Sequence, residues 1–108
     1  MESDQFAHME KIVPRRVVLL LSNYRALYCE RNDLLGNWKI AWHHPWNEVA
    51  MILPTDSGVD VLLEKKKAKT FGIIGTTKQE RKIIEIGEKP RRDRLAKIMD
   101  TLRRQCEN

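Results

Sequence analysis

The sequence has few of the residues that build disulfide scaffolds, flexible linkers or membrane spans. Among 108 residues there are 2 cysteines, 4 prolines and 5 glycines, and aromatic residues make up 6%. Two cysteines without CxxC spacing do not form the paired framework of a small secreted scaffold, and the low proline and glycine content excludes a low-complexity linker. The longest charge-free apolar run, residues 17–23, is far shorter than the roughly 20 residues that span a bilayer.

The N-terminal residues lack the pattern of a secretory signal, because Glu2, Asp4 and His8 interrupt a segment with little apolar content. We therefore expect neither a membrane-embedded nor a secreted protein. A chain of this length supports one hydrophobic core. Cys29 and Cys106 are expected to be reduced thiols in a cytoplasmic protein, with a disulfide between them as the alternative.

Positive charge is the first distinctive feature that is present. There are 20 lysines and arginines against 15 acidic residues, which gives a net charge of +5 and a sequence pI of about 9.4. An excess of this size favours an anionic partner, such as a phospholipid headgroup, a nucleic acid or an acidic protein. It does not distinguish among these three.

Short apolar runs bounded by turn residues predict a chain made mostly of strands. The predicted strands are residues 17–21, 26–29, 38–46, 48–53, 59–63 and 81–86. Residues 22–25 form a predicted tight hairpin turn, and residues 54–58 are a second turn cluster. The glycine-punctuated residues 71–75 are predicted to be a loop or a short irregular strand.

The run of residues 38–46 contains all three tryptophans at a spacing that suits a helix as well as a strand. Gly36 before it and Pro45 within it favour the strand. In a strand, Trp38, Trp42 and Trp46 share one face, and we expect them to pack in or near the core. The alternative is that one of them is partly exposed and contacts a partner peptide or the membrane interface, so all three are candidate aromatic contacts.

The C-terminal residues predict one amphipathic helix that starts near Pro90, where the first turn of a helix tolerates a missing N–H. The predicted helix has about four turns, and its apolar stripe contains Leu95, Ile98, Met99 and Leu102. The charged residues, including Arg91, Arg92 and Arg94, are assigned to the solvated faces. Several short strands followed by one helix predict a mainly β fold with one α-helix.

Two segments of the sequence resemble a known family. Residues 17–25, VVLLLSNYR, are similar to the hairpin of PH-like (pleckstrin-homology-like) and GRAM-like domains. The segment LLGNWKIAW at residues 34–42, followed by PWNEV at 45–49, resembles the C-terminal PH-like domain of the vacuolar protein sorting thirteen family. These are very large bridge-like intermembrane lipid-transfer proteins, so the resemblance implies that the chain is one excised domain.

The resemblance covers roughly residues 5–106 and implies a single PH-like domain over that range. Its expected architecture is about seven antiparallel strands in a bent sandwich or barrel, closed by the C-terminal amphipathic helix. Residues 1–4 are expected to be flexible or left by the expression vector.

The implied function is that of a non-enzymatic targeting or adaptor domain. Such a domain binds a membrane protein or its cytosolic tail, a small GTPase or an acidic phospholipid, and so places one end of the lipid conduit at organelle contact sites. We favour a protein as the principal partner and acidic phospholipid as the auxiliary one. The domain is expected to be monomeric, cytoplasmic and peripheral at organelle membranes.

Two groups of basic residues are candidates for contact with an acidic lipid or partner: Arg15, Arg16, Lys65, Lys66, Lys67 and Lys69. Near an anionic surface each such residue contributes about 1 kcal/mol, so several acting together give a weak but useful attraction. The alternative is that the lysines simply form a solvated face. Two arginines beside Pro14 fall short of the spaced basic motif of phosphoinositide-binding PH domains, so a stereospecific pocket is not expected.

No catalytic residue, metal site or cofactor is expected. His43 and His44 are adjacent on a predicted strand and point to opposite faces, and His8 is distant in sequence. No nucleophile elbow, HExxH or phosphate-binding loop occurs in the sequence. The alternative function is a small basic nucleic-acid-binding β-domain, which the pI and size favour. The aromatic residues disfavour it, because they cluster with Ile40 rather than alternate with basic residues.

Overall fold

The computed structural model describes residues 4–13, 15–66 and 77–106. The predicted loop at residues 71–75 and the candidates Lys67 and Lys69 therefore lie outside the described residues. The chain divides into two compact units. The first comprises the residues up to Asn47 and those from Thr101 onward, and the second comprises Glu48–Asp100.

The first unit contains a four-stranded antiparallel sheet in the order β1-β2-β3-β4. Its strands are β1 (Phe6–Ile12), β2 (Val17–Ser22), β3 (Arg25–Arg31) and β4 (Trp38–Pro45). The predicted hairpin turn between β2 and β3 is confirmed, with two residues between the strands. The side chains of β2 and β3 supply most of the buried residues of this sheet, among them Leu19, Leu21 and Leu27.

Strand β1 was not predicted as an element, because its apolar residues do not alternate with polar ones. In this edge strand Glu10 and Ile12 are buried, whereas Phe6 and Met9 are exposed. An edge strand with a buried acid and exposed apolar residues gives no period-two signal.

The structure corrects the predicted arrangement of the tryptophans. Strand β4 ends at Pro45, and Trp46 begins a one-turn 3₁₀ helix, Trp46–Glu48. Tyr28 pairs with Trp42, but the next residue of β3 pairs with Ile40, so Ala41 is an extra residue in a bulge. A bulge reverses the alternation of side chains along the strand. The prediction that all three indoles share one face is therefore wrong.

The second unit contains a three-stranded antiparallel sheet in the order β5-β6-β7. Its strands are β5 (Val49–Pro54), β6 (Gly58–Lys66) and β7 (Thr77–Glu85). The predicted turn between β5 and β6 is confirmed, and the Thr55 amide donates to the Gly58 carbonyl at 2.7 Å. Glycine is required at position 58 because a Cβ there would overlap the carbonyl oxygen of Ile84.

The C-terminal helix α1 (Lys89–Gln105) is present, with Leu95, Met99 and Leu102 buried as predicted. The prediction that Arg92 is solvated is wrong, since it is only 8% exposed. Its Nη1 donates to the carbonyl of Asp56 at 2.8 Å and to that of Ile86 at 3.5 Å. Arg92 thus bonds carbonyl oxygens of the β5–β6 turn and of the segment after β7, which is a structural role.

The fold class is confirmed as mainly β with seven antiparallel strands and one C-terminal helix in the described part of the chain. Six of these strands overlap the predicted ones, and the strand that the residue pattern did not predict is β1.

Candidate functional site

Two connections of the first sheet lie at the same end of it. Because neighbouring strands are antiparallel, β1 and β3 run in the same direction. The connections that follow them, β1–β2 and β3–β4, therefore lie at the same end of the sheet. They are also in contact, since the Arg31 amide donates to the Arg16 carbonyl at 3.0 Å and the Arg16 Nη1 lies 3.0 Å from the Asp33 Oδ1. We call this surface the loop end; it consists of Val13, Arg15, Arg16 and residues 31–39.

The β3–β4 connection, residues 32–37, is a closely hydrogen-bonded turn, which we call the leucine turn. The Asn32 side-chain oxygen accepts the amides of Leu34 at 2.9 Å and Leu35 at 3.2 Å. The Gly36 amide donates to the Asn32 carbonyl at 2.7 Å, and the Asn32 amide donates to the Asn37 carbonyl at 2.8 Å. Asparagine favours such a turn, and glycine permits the positive φ of 72° at position 36.

The leucine turn holds two apolar side chains in solvent. Leu34 is 94% exposed and Leu35 is 75% exposed, while Trp38 at the start of β4 is 50% exposed. Ile40 and Val13 are exposed as well. Single exposed apolar residues are ordinary, but a group of them in one short segment indicates an interaction site.

The loop end also carries basic side chains. The exposed cations of the loop end are Arg15, Arg16, Arg31 and Lys39. The acid of the loop end is Asp33, which pairs with Arg16, and the half-buried Glu30 of β3 lies just before it in the chain. Both side chains of the Arg16–Asp33 pair are more than half exposed, so the pair adds at most about 1 kcal/mol of stability and leaves the surface positively charged.

The structure separates the candidate aromatic residues. Trp38 lies on the loop end, whereas Trp42 is half-buried and stacks on Tyr28 with ring centroids 5.1 Å apart. Trp46 is 1% exposed, and its Nε1 donates to the Ser22 carbonyl at 2.8 Å. Trp46 is therefore a core residue and offers no exposed surface to a partner.

The candidate basic residues fall in both units. Arg15 and Arg16 belong to the loop end of the first unit. The backbones of Lys65 and Lys66 lie in β6 of the second unit, where they pair with Lys78 and Thr77 of β7. That these arginines and lysines contact an acidic lipid or partner stays a prediction.

The residues of the hairpin motif form a structural junction at the other end of the first sheet. The Ser22 hydroxyl accepts the amides of Tyr24 at 3.1 Å and Arg25 at 3.0 Å, and it donates to the Asp4 carboxylate at 2.9 Å. Arg25 Nη2 also donates to that carboxylate, at 2.8 Å. The bonds from Arg25 and Ser22 hold the pKa of Asp4 below its ordinary value. Asp4, the last residue of the segment expected to be flexible, is thus held by the side chains of Ser22 and Arg25.

The same junction includes the start of the 3₁₀ helix and the end of the chain. The Trp46 amide donates to the Tyr24 carbonyl at 2.9 Å. Asn23 exchanges two bonds with Gln5, and its carbonyl accepts from the Cys106 thiol at 2.9 Å. The hydrogen bonds of the motif residues at this end therefore stabilise the fold.

A separate pocket lies in the second unit. It has a volume of about 240 Å³ and is lined mainly by apolar atoms of Ala50 and Met51 on β5, residues 62–64 on β6, and Gln79 and Glu80 on β7. β5 is an edge strand of its sheet. The pocket is large enough for one apolar side chain, and the acidic residues Glu64 and Glu80 are among those that line it.

Among the described residues, no group of three or more His, Cys, Asp or Glu side chains is placed to hold a metal ion. His8 Nε2 lies 2.8 Å from the Glu10 carboxylate. Cys29 and Cys106 are present as thiols, and burial raises the pKa of Cys29. In the described part of the chain, no helix combines the length and the apolar content needed to cross a membrane.

A family model described as the C-terminal part of the intermembrane lipid transfer protein VPS13 matches residues 1–89. The chain belongs to this family. The match to the VPS13 C-terminal family ends at the first residue of α1, so it includes every strand described above. The predicted family is confirmed, and the chain is a domain of an intermembrane lipid-transfer protein. Searches of curated proteins and of solved structures returned no match.

Sequence reasoning missed Leu34 and Leu35 as site residues. The available signal was a pair of leucines between the turn residues Asn32 and Gly36, where a hairpin connection has no need of apolar side chains for the core.

Proposed function

We propose that this VPS13 C-terminal domain is a non-enzymatic targeting module that attaches a lipid-transfer protein to an organelle membrane at contact sites. The observation that carries the proposal is the exposed apolar and basic loop end of the first sheet, in a domain of a lipid-transfer family. The chain would act from the cytoplasmic face as a peripheral domain. The order of seven strands followed by a helix supports the PH-like superfold as part of this proposal.

The principal partner in this proposal is a membrane protein, through its cytosolic tail, or a small GTPase. The pocket of the second unit supports a peptide partner, because an extended segment could add to the edge of β5 and place an apolar side chain in the pocket. The carboxylates of Glu64 and Glu80 would favour a basic residue beside that side chain. Acidic phospholipid is the auxiliary ligand.

The nucleic-acid-binding alternative is supported by one observation. Trp38 is half-exposed and lies opposite Arg31 and next to Lys39, which is the combination of aromatic and basic groups that stacks on bases. A single aromatic residue is a small platform, however, and base stacking gives no role to the exposed Leu34 and Leu35.

The test is the distribution of the chain in cells as a fluorescent fusion. We expect it to concentrate on organelle membranes, and a diffuse distribution would contradict a targeting function. Met51→Asp, in the pocket, should reduce recruitment if a peptide binds there. Leu53→Asp is the matched control, because Leu53 is a similarly exposed residue of β5 that does not line the pocket.

A further inference from the structure

We infer that the leucine turn inserts Leu34 and Leu35 into the boundary between the headgroups and the acyl chains of an anionic bilayer, with Trp38 at the water interface. The inference rests on the proposed targeting function. It specifies the leucine turn as the binding surface and the lipid bilayer as the ligand.

The amides of the turn are hydrogen-bonded within the turn itself, which lowers the cost of moving its backbone out of water. An amide N–H that enters an apolar environment without a hydrogen-bond acceptor costs several kcal/mol in a membrane-like medium, which opposes the insertion of most loops. In the leucine turn the amides of Leu34, Leu35 and Gly36 all donate to Asn32, two to its side chain and one to its carbonyl. The tip can therefore lose water without leaving these three donors unbonded.

The side chains at the tip are those that gain from insertion. Leu34 and Leu35 are almost fully solvated, so nearly all of their apolar surface is available for transfer out of water. Trp38 directly follows the turn and is half-exposed. Tryptophan is enriched at membrane interfaces because one part of it is apolar and another can remain hydrated.

The charges around the tip suit an anionic surface. Arg15, Arg16, Arg31 and Lys39 are exposed beside the turn. The Asp33 carboxylate, which anionic lipids would repel, lies 3.0 Å from the Arg16 guanidinium. Cations that flank an apolar tip can contact lipid phosphates while the tip is inserted, and this is the two-part attraction that peripheral proteins need for stable binding.

A bilayer fits the leucine turn better than a folded protein does. Binding sites for proteins concentrate their energy in residues that end up in well-packed pockets, so exposed anchor residues are usually aromatic or arginine. Two aliphatic side chains that project from a turn need only a fluid apolar phase, which requires no matching pocket.

The test measures co-sedimentation of the chain with phosphatidylcholine vesicles and with phosphatidylcholine–phosphatidylserine vesicles at about a 3:1 ratio, at low and high salt. We expect binding to the anionic vesicles that weakens with salt, and a loss of about tenfold or more in the partition coefficient for Leu34→Ser combined with Leu35→Ser. The matched control is Leu53→Ser, an exposed leucine of the other sheet, which should bind as the unsubstituted chain does. Leu34→Phe combined with Leu35→Phe should retain binding, because the tip remains apolar.

Three results would overturn the inference: no vesicle binding, equal binding to neutral and anionic vesicles, or equal binding of the serine variant and the unsubstituted chain. Thermal unfolding of the variants checks that the fold is intact, which we expect because both leucines are exposed. If the fusion still concentrates on organelles while vesicle binding fails, the inference is wrong and the targeting function stands. If the chain binds vesicles and the fusion is diffuse in cells, the targeting function is the part that fails.

Discussion

Replacing each of two tryptophans by phenylalanine tests whether the tryptophan segment, residues 38–46, is divided into a structural part and an exposed part. Trp46 is 1% exposed and donates a 2.8 Å hydrogen bond to the Ser22 carbonyl, whereas Trp38 is 50% exposed. The two substitutions remove the same atoms from two positions of one short segment. Their effects on the free energy of unfolding should nevertheless differ widely.

The expected cost at Trp46 follows from its two interactions. Loss of a buried hydrogen bond costs about 1–2 kcal/mol. The smaller ring also leaves a void in the core, which adds about 1–2 kcal/mol. We therefore expect Trp46→Phe to lower the free energy of unfolding by roughly 2–4 kcal/mol, and the midpoint of thermal unfolding by roughly 10 °C or more. Trp38→Phe should stay within about 0.5 kcal/mol of the unsubstituted chain, as surface substitutions usually do.

The assay is urea denaturation followed by circular dichroism, with thermal unfolding as a second measurement. Equal and small effects of the two substitutions would refute the assignment of Trp46 to the core. A larger effect of Trp38→Phe than of Trp46→Phe would refute the whole division of the segment.

Three further predictions concern the turns and the N-terminal ion pair. Gly58→Ala should destabilise the chain by roughly 2 kcal/mol or more in urea denaturation, because the new Cβ would overlap the Ile84 carbonyl; a neutral effect would contradict the close approach of β6 and β7. Gly36→Ala should cost only about 1 kcal/mol, from its φ of 72°, since the nearest side-chain atom to the new Cβ is 3.7 Å away; a cost as large as that at Gly58 would be inconsistent with this geometry. The lowered pKa of Asp4, which Arg25 causes first, adds stability that is fully present above the ordinary carboxyl pKa of about 3.9 and is lost as the pH falls below it. Asp4→Asn should reduce that pH dependence, and unchanged acid denaturation curves would contradict it.

The parts of the fold that follow from local pattern could be predicted from the sequence. The apolar spacing of Leu95, Met99 and Leu102 predicts the buried face of α1, and the short polar interruption at residues 22–25 predicts a tight hairpin turn. The resemblance to the VPS13 family depended on the hairpin motif and the tryptophan segment. In the structure the two motifs are joined by a hydrogen bond from the Trp46 indole N–H to the Ser22 carbonyl.

The remaining features depend on contacts between residues that are distant in sequence. The bulge at Ala41 arises from the pairing of β3 with β4, and no residue pattern in the sequence predicts it. Arg92 is buried because carbonyls of Asp56 and Ile86 accept its guanidinium N–H groups, and a helical wheel cannot show these acceptors. The place of Leu34 and Leu35 between two turn residues was a signal in the sequence, but their exposure also depends on the folded turn, in which the Asn32 side chain accepts both of their amides.

Fluorescence quenching by brominated lipids tests the central claim most directly, because it reports which tryptophan reaches the bilayer. The unsubstituted chain and its Trp38→Phe variant are mixed with anionic vesicles that contain phospholipids brominated close to the headgroup or deep in the acyl chain. Insertion of the leucine turn predicts quenching by the shallow bromines in the unsubstituted chain, and loss of most of that quenching in Trp38→Phe. The same quenching in both proteins, or none in either when both are bound to the vesicles, would show that the loop end does not enter the membrane.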